Sequence, residues 1–248
     1  MTVTVMLRRG ISESLVRNMM GNLAAQLDRK HFHFTGESDW RAEFGPIPNP
    51  RGRSYTGGVT AAAVTLADEI DHHEGGPLIV GGYSAGAAVV HEALRMLPFN
   101  TRRAKVTRAI MVADPLMPAS IRPDQLLGTR RPGSSGITGG KNIWTKDGTP
   151  HLTWVAHHGD AICCCPQLSP LRTLADQLTG MSLADLGGWG VDLHRRLITR
   201  SFQPTNGALG LREAMWDLDG YMRRGEHINH YPSMLAQLGA QINEELGR

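Results

Sequence analysis

Pro77-Leu78-Ile79-Val80-Gly81-Gly82-Tyr83-Ser84-Ala85-Gly86-Ala87-Ala88-Val89-Val90 decides how the chain folds. Residues 77–80 form an unbroken apolar run, the mark of a strand covered on both faces. A glycine-dense turn follows, and residues 87–97 are alanine-rich with the composition of a helix. A buried strand running through a tight turn into a helix is a unit of an α/β sheet.

The flanking sequence repeats this rhythm. Residues 2–7 alternate β-branched and apolar side chains and predict a first strand; residues 15–27 predict a helix, with a helix-start signature around Ser12 and Glu13. Residues 31–34 predict a short strand, 45–58 a long Pro- and Gly-rich loop, and 60–70 a helix. Residues 106–112 repeat the buried-strand pattern and end at Asp114-Pro115, and residues 152–156 predict another strand before His157-His158-Gly159-Asp160. Alternating strands and helices imply a mostly parallel central sheet with helices on both faces. Two stretches break the pattern: residues 127–141 read as a mobile loop, and residues 166–224 as a helical insertion without a convincing strand. A final amphipathic helix is expected over 232–246, with Pro232 in its first turn. The expected organisation is an α/β core over 1–165, the insertion over 166–224, and the end of the core over 225–248.

Composition narrows the function. The chain has 248 residues, 41% of them hydrophobic, enough for one substantial core. A net charge of +3 without a Lys/Arg-rich run gives no reason to expect nucleic-acid binding. No apolar stretch approaches the roughly twenty residues needed to span a bilayer, and the amino terminus lacks the charged-then-apolar order of a signal peptide, so a soluble product is expected. The three cysteines are consecutive, Cys163 to Cys165, which disfavours both a disulfide framework and a paired zinc site. The histidines show no spaced ligand set, so neither a metal nor a cofactor is expected.

Gly82-Tyr83-Ser84-Ala85-Gly86 matches the G-x-S-x-G nucleophile elbow of the α/β-hydrolase fold, and the strand before it and the helix after it are the context that pattern requires. A serine hydroxyl is a poor nucleophile at neutral pH and needs a histidine base oriented by a carboxylate, in this fold in the order Ser, Asp, His. Asp160 follows a strand end and is preferred; Asp114 follows another and competes with it. The base is His227 or His230, in Glu226-His227-Ile228-Asn229-His230-Tyr231. The oxyanion donors expected are the backbone N–H of Ala85 and a second near Ile11 or Ser12, although Ser12 could equally cap a helix.

These pieces together resemble the lysin B family, mycolylarabinogalactan esterases of phages infecting mycobacteria, themselves similar to cutinases. The resemblance rests on Arg9-Gly10-Ile11-Ser12-Glu13, the elbow, Ala113-Asp114-Pro115, Gly159-Asp160-Ala161-Ile162-Cys163 and the late histidine beside Tyr231. It implies a cutinase-like α/β-hydrolase with Ser84, Asp160 and a histidine as its catalytic residues, His227 being favoured over His230. It likens residues 166–224 to the helical linker region of lysin B. It implies hydrolysis of the ester between mycolic acids and arabinogalactan, by a protein made in the host cytoplasm and acting at the envelope after release. General cutinase or lipase activity and a non-catalytic wall-binding protein are the alternatives. Ala85 stands where the family often has Gln, and a cysteine pair bracketing Asp160, as in cutinases, is absent.

Overall fold

The computed structural model describes residues 2–44, 52–98, 105–143, 145, 150–173, 175 and 207–246. Its elements in chain order are β1 (Val3–Arg8), α1 (Met19–Gln26), β2 (Phe32–Phe34), α2 (Tyr55–Asp71), β3 (Leu78–Tyr83), α3 (Ala85–Met96), β4 (Val106–Val112), β5 (Leu126–Gly128), β6 (His151–Ala156), α4 (Gly207–Asp219) and α5 (Tyr231–Leu246). A short 3-10 turn, Pro123–Gln125, leads into β5, and a wide π-type turn, Gly220–Arg224, follows α4.

The six strands form one sheet in the order β2-β1-β3-β4-β6-β5, every neighbouring pair parallel. Successive side chains of a strand point to opposite faces, and here both faces are apolar. Met6, Leu78, Val80, Met111 and Trp154 meet α2 and α3 on one side. Val5, Ile79, Ile110, Val112 and Val155 meet α1 and α5 on the other. Each such side chain contributes about 1.5–3 kcal/mol on burial, and all six residues of β3 are buried. Parallel strands place all their carboxyl ends at one edge, so the loops after β1, β3, β4 and β6 gather there.

The expected strands and helices are present with shifted ends. The first helix starts at Met19, not at 15, because the Asn18 side chain accepts from Gly21 N at 2.9 Å and caps it there. Leu15 and Val16, which supplied the apparent periodicity, are exposed. The second long helix starts at Tyr55 inside the expected loop, since Ser54 Oγ accepts from Gly57 N; residues 45–51 of that loop lie outside the described residues.

The expected mobile loop over 127–141 is instead pinned. It begins in the edge strand β5, too short to carry a periodic signal. Ser135 and Cys165 exchange two backbone hydrogen bonds, and Gly136 N donates to Met117 O. The Arg172 guanidinium is buried and donates to the carbonyls of Gly136 and Cys165, both at 2.6 Å, and to Ser135 Oγ at 2.8 Å. Arg131 makes a two-pronged pair with the buried Asp217 carboxylate of α4, at 2.8 and 2.5 Å. Most of the stretch expected as an insertion, residues 174 and 176–206, lies outside the described residues. Among the described residues no helix is long and apolar enough to cross a membrane.

Candidate active site

The turn between β3 and α3 is held by what its glycines lack. A Cβ on Gly82 would lie 2.2 Å from Gly86 O, and one on Gly86 would lie 2.2 Å from Arg8 O and 2.5 Å from Arg9 O. Only hydrogens fit at either position. Between them Ser84 adopts φ +55° and ψ −119°, a strained conformation for a residue with a side chain that costs about 1–3 kcal/mol. Its N–H donates to Val112 O at 2.8 Å, which fixes the turn against the end of β4. The Ser84 hydroxyl thus stands at the carboxyl edge, at the amino end of α3.

Two distant segments meet it. Asp160 sits in the turn after β6, 1% exposed, its Oδ1 accepting from Ile162 N at 2.9 Å. His227 follows the left-handed Gly225 (φ +69°) that ends the π-type turn. Its Nδ1 lies 2.8 Å from Asp160 Oδ2 and its Nε2 lies 3.0 Å from Ser84 Oγ. The carboxylate selects the tautomer with the proton on Nδ1, leaving the Nε2 lone pair for the serine hydroxyl. A hydroxyl held against such an imidazole can lose its proton as it attacks a carbonyl carbon.

Two tyrosines brace this chain. Tyr231, at the start of α5, donates its hydroxyl to Asp160 Oδ2 at 2.5 Å, and Tyr83, immediately before the serine, donates to the carbonyl of His227 at 2.5 Å while its ring stacks on the imidazole at 5.0 Å. Burial, and then the nearby Asp160 charge, push both phenols above their ordinary range. Both therefore stay protonated donors at neutral and mildly alkaline pH. Sequence reasoning gave neither tyrosine this role; the only available signal was the i to i+4 spacing of His227 and Tyr231. Removing the Tyr231 hydroxyl in Tyr231→Phe is expected to lower kcat about tenfold with KM little changed, because Asp160 loses a charge-assisted hydrogen bond of about 1.5–3 kcal/mol; steady-state ester hydrolysis checks it.

The rival residues are engaged elsewhere. Asp114 is fully buried on the α3 side, its Oδ2 facing His91 Nδ1 at 2.6 Å and accepting from Trp154 Nε1 at 3.0 Å, its Oδ1 accepting from Leu116 N at 2.8 Å. His91 Nε2 is buried and has no hydrogen-bond partner among the described residues. Asp114 is thus a core polar anchor. Asp114→Ala is expected to cost about 3–5 kcal/mol in urea unfolding by stranding three buried partners, His91 Nδ1, Trp154 Nε1 and Leu116 N, while the folded fraction keeps the parental kcat.

His230, the alternative base, does not meet Ser84. Its Nε2 lies 3.1 Å from Glu226 Oε2 and its ring stacks on His157 at 3.6 Å.

Of the expected oxyanion donors, Ser12 has its N–H already donated to Ala42 O at 2.9 Å. Nor does it cap α1, since Glu13 accepts from Met19 N at 2.8 Å and from Gly10 N at 2.6 Å. Ala85 opens α3, where first-turn amides lack intrahelical partners. Ile11 lies in the loop after β1, whose register pairs Arg8 with Gly82 beside the elbow. The three cysteines are free and buried, and burial pushes the Cys163 thiol up. The ligand atoms of His157, Glu226 and His230 lie within 4.8 Å of one another, a grouping that sequence spacing does not reveal.

No protein-family model matches the chain, and no curated protein sequence matches it. Among solved structures it is similar to the catalytic core domain of acetyl xylan esterase from Trichoderma reesei, at TM-score 0.55 and 17% identity over 72% of this chain and 95% of that one. It is also similar to lysin B from Mycobacteriophage D29, at TM-score 0.53 and 14% identity over 96% of this chain and 98% of that one. The parallel sheet, the elbow after β3 and these likenesses identify the fold as that of the cutinase-like α/β-hydrolases.

Proposed function

We propose that the protein is a serine carboxylic ester hydrolase in which Ser84 attacks the ester carbonyl, His227 takes the serine proton and returns it to the leaving alcohol, and Asp160 orients His227. Water, deprotonated by the same imidazole, then releases the acyl group from Ser84. The backbone N–H groups of Ala85 and Ile11 receive the charge that develops on the carbonyl oxygen, aided by the positive end of α3. The observation that carries this reading is the unbroken contact from Ser84 Oγ through His227 to Asp160, at 3.0 and 2.8 Å.

For the substrate we propose the ester between mycolic acids and arabinogalactan of the mycobacterial-type envelope, cleaved in phage-mediated lysis. Support comes from the motifs quoted above and from the extent of the likeness to lysin B, which runs over 96% of the chain where the acetyl xylan esterase core reaches 72%. A general carboxylesterase of cutinase type is the second reading, supported by that shorter likeness.

Two measurements test these readings. A fluorophosphonate probe should label Ser84 stoichiometrically; an unlabelled protein would be a binding module rather than an enzyme. Purified mycobacterial wall should release free mycolic acids at a higher kcat/KM than acetylated xylan releases acetate. The reverse ranking would overturn the mycolyl assignment and leave the esterase reading standing.

A further inference from the structure

Beside the Ser84 site, the geometry points to a binding site for a divalent transition-metal ion of the zinc class, formed by His157 Nδ1, Glu226 Oε2 and His230 Nε2. The inference is independent of the esterase reading.

Glu226 Oε2 lies 3.2 Å from His157 Nδ1 and 3.1 Å from His230 Nε2. A tetrahedral ion with bonds of about 2.0–2.1 Å sets its ligands about 3.3 Å apart, so two edges of the polyhedron are already in place. The His157 and His230 rings, stacked at 3.6 Å, would swing apart to aim both nitrogens at the ion. The Gly159 N–H donates to His157 Nδ1 at 3.3 Å, a long hydrogen bond that the ion would displace from that lone pair. Arg224 Nε lies 3.8 Å from Glu226 Oε1, on the side of the carboxylate away from the histidines that Oε2 meets. Gly159 makes the approach possible, since a Cβ there would sit 2.5 Å from Glu226 Oε2. Two imidazoles and one carboxylate favour zinc, cobalt or nickel over magnesium or calcium, which take oxygen ligands. The half-exposed His230 leaves a fourth position to water. His227 lies in the chain between two of the ligands, so the ion would tie the 226–230 loop to the turn carrying Asp160.

The test uses the full chain, stripped with chelator and titrated with Co²⁺ and then Zn²⁺. One Co²⁺ should bind with the strong visible absorption of four-coordinate cobalt, Zn²⁺ should displace it, and Zn²⁺ should raise Tm. Removing even an outer-shell partner costs about 10–100-fold in metal affinity, so His230→Gln should weaken Zn²⁺ binding at least about tenfold. The same variant should keep metal-free Tm and ester hydrolysis. His72→Gln, at an exposed histidine, should bind as the parent does. Absence of saturable Co²⁺ binding overturns the site, as does unchanged Zn²⁺ affinity in both His230→Gln and Glu226→Gln, which would place the ion on His227 or the cysteines.

Discussion

Ser84→Ala is expected to lower kcat/KM for p-nitrophenyl butyrate by about 10⁴-fold or more, the scale on which a serine hydrolase loses rate without its nucleophile. The change removes one oxygen and leaves the His227–Asp160 contact and the Ala85 amide where they are. Alanine carries the same Cβ through the positive-φ turn, so the backbone strain is not altered, and urea unfolding should stay within about 1 kcal/mol of the parent. Activity and stability should therefore separate cleanly. Parental turnover in the variant would mean that another group attacks the ester, and the proposed mechanism would fail.

Gly86→Ala should do the opposite, destroying the fold before chemistry can be asked about. The added methyl would overlap the carbonyls of both Arg8 and Arg9, backbone atoms that no rotamer change can move. Shifting them would drag the end of β1, where the fully buried Arg8 guanidinium pairs with Glu69 at 2.6 Å, and Arg9, whose guanidinium pairs with Glu37. Burial lowers the Arg8 pKa, a sign that this charge depends on its carboxylate partner. We expect a loss of more than about 4 kcal/mol, in the range kept for overpacking and broken buried networks. A urea midpoint close to the parent's would show that β1 and α3 are not locked together as described.

The strands and helices were legible where a long periodic run coincided with burial, as in β3, β4 and α3. Legibility failed where local hydrogen bonding overrode periodicity: Asn18 and Ser54 set helix starts that the apolar spacing placed elsewhere. It failed again for β5, three residues long and specified by pairing with β6 rather than by composition. Ser84 could be read because the elbow is a local device, its two glycines standing two residues either side. Asp160 and His227 lie 67 residues apart and His227 and Ser84 lie 143 apart, so their meeting depends on tertiary structure, and order in the chain could only narrow the choice. Asp114 competed because a strand end presents a carboxylate equally well whether it faces cleft or core; His91 and Trp154 decide the matter. Sequence also missed Tyr83 and Tyr231 as braces, since a buried phenol's partner is invisible until the helix behind it is docked.

The two arginines that staple the 131–137 segment bear on how this protein can vary. Arg172 fixes the chain as it leaves the core, and Arg131 receives it again through Asp217 on α4. Lysine can replace neither arginine, since one ammonium cannot span the Gly136 and Cys165 carbonyls that the Arg172 fork joins or grip both oxygens of Asp217 as Arg131 does, so drift at these two positions is closed off while their exposed neighbours vary.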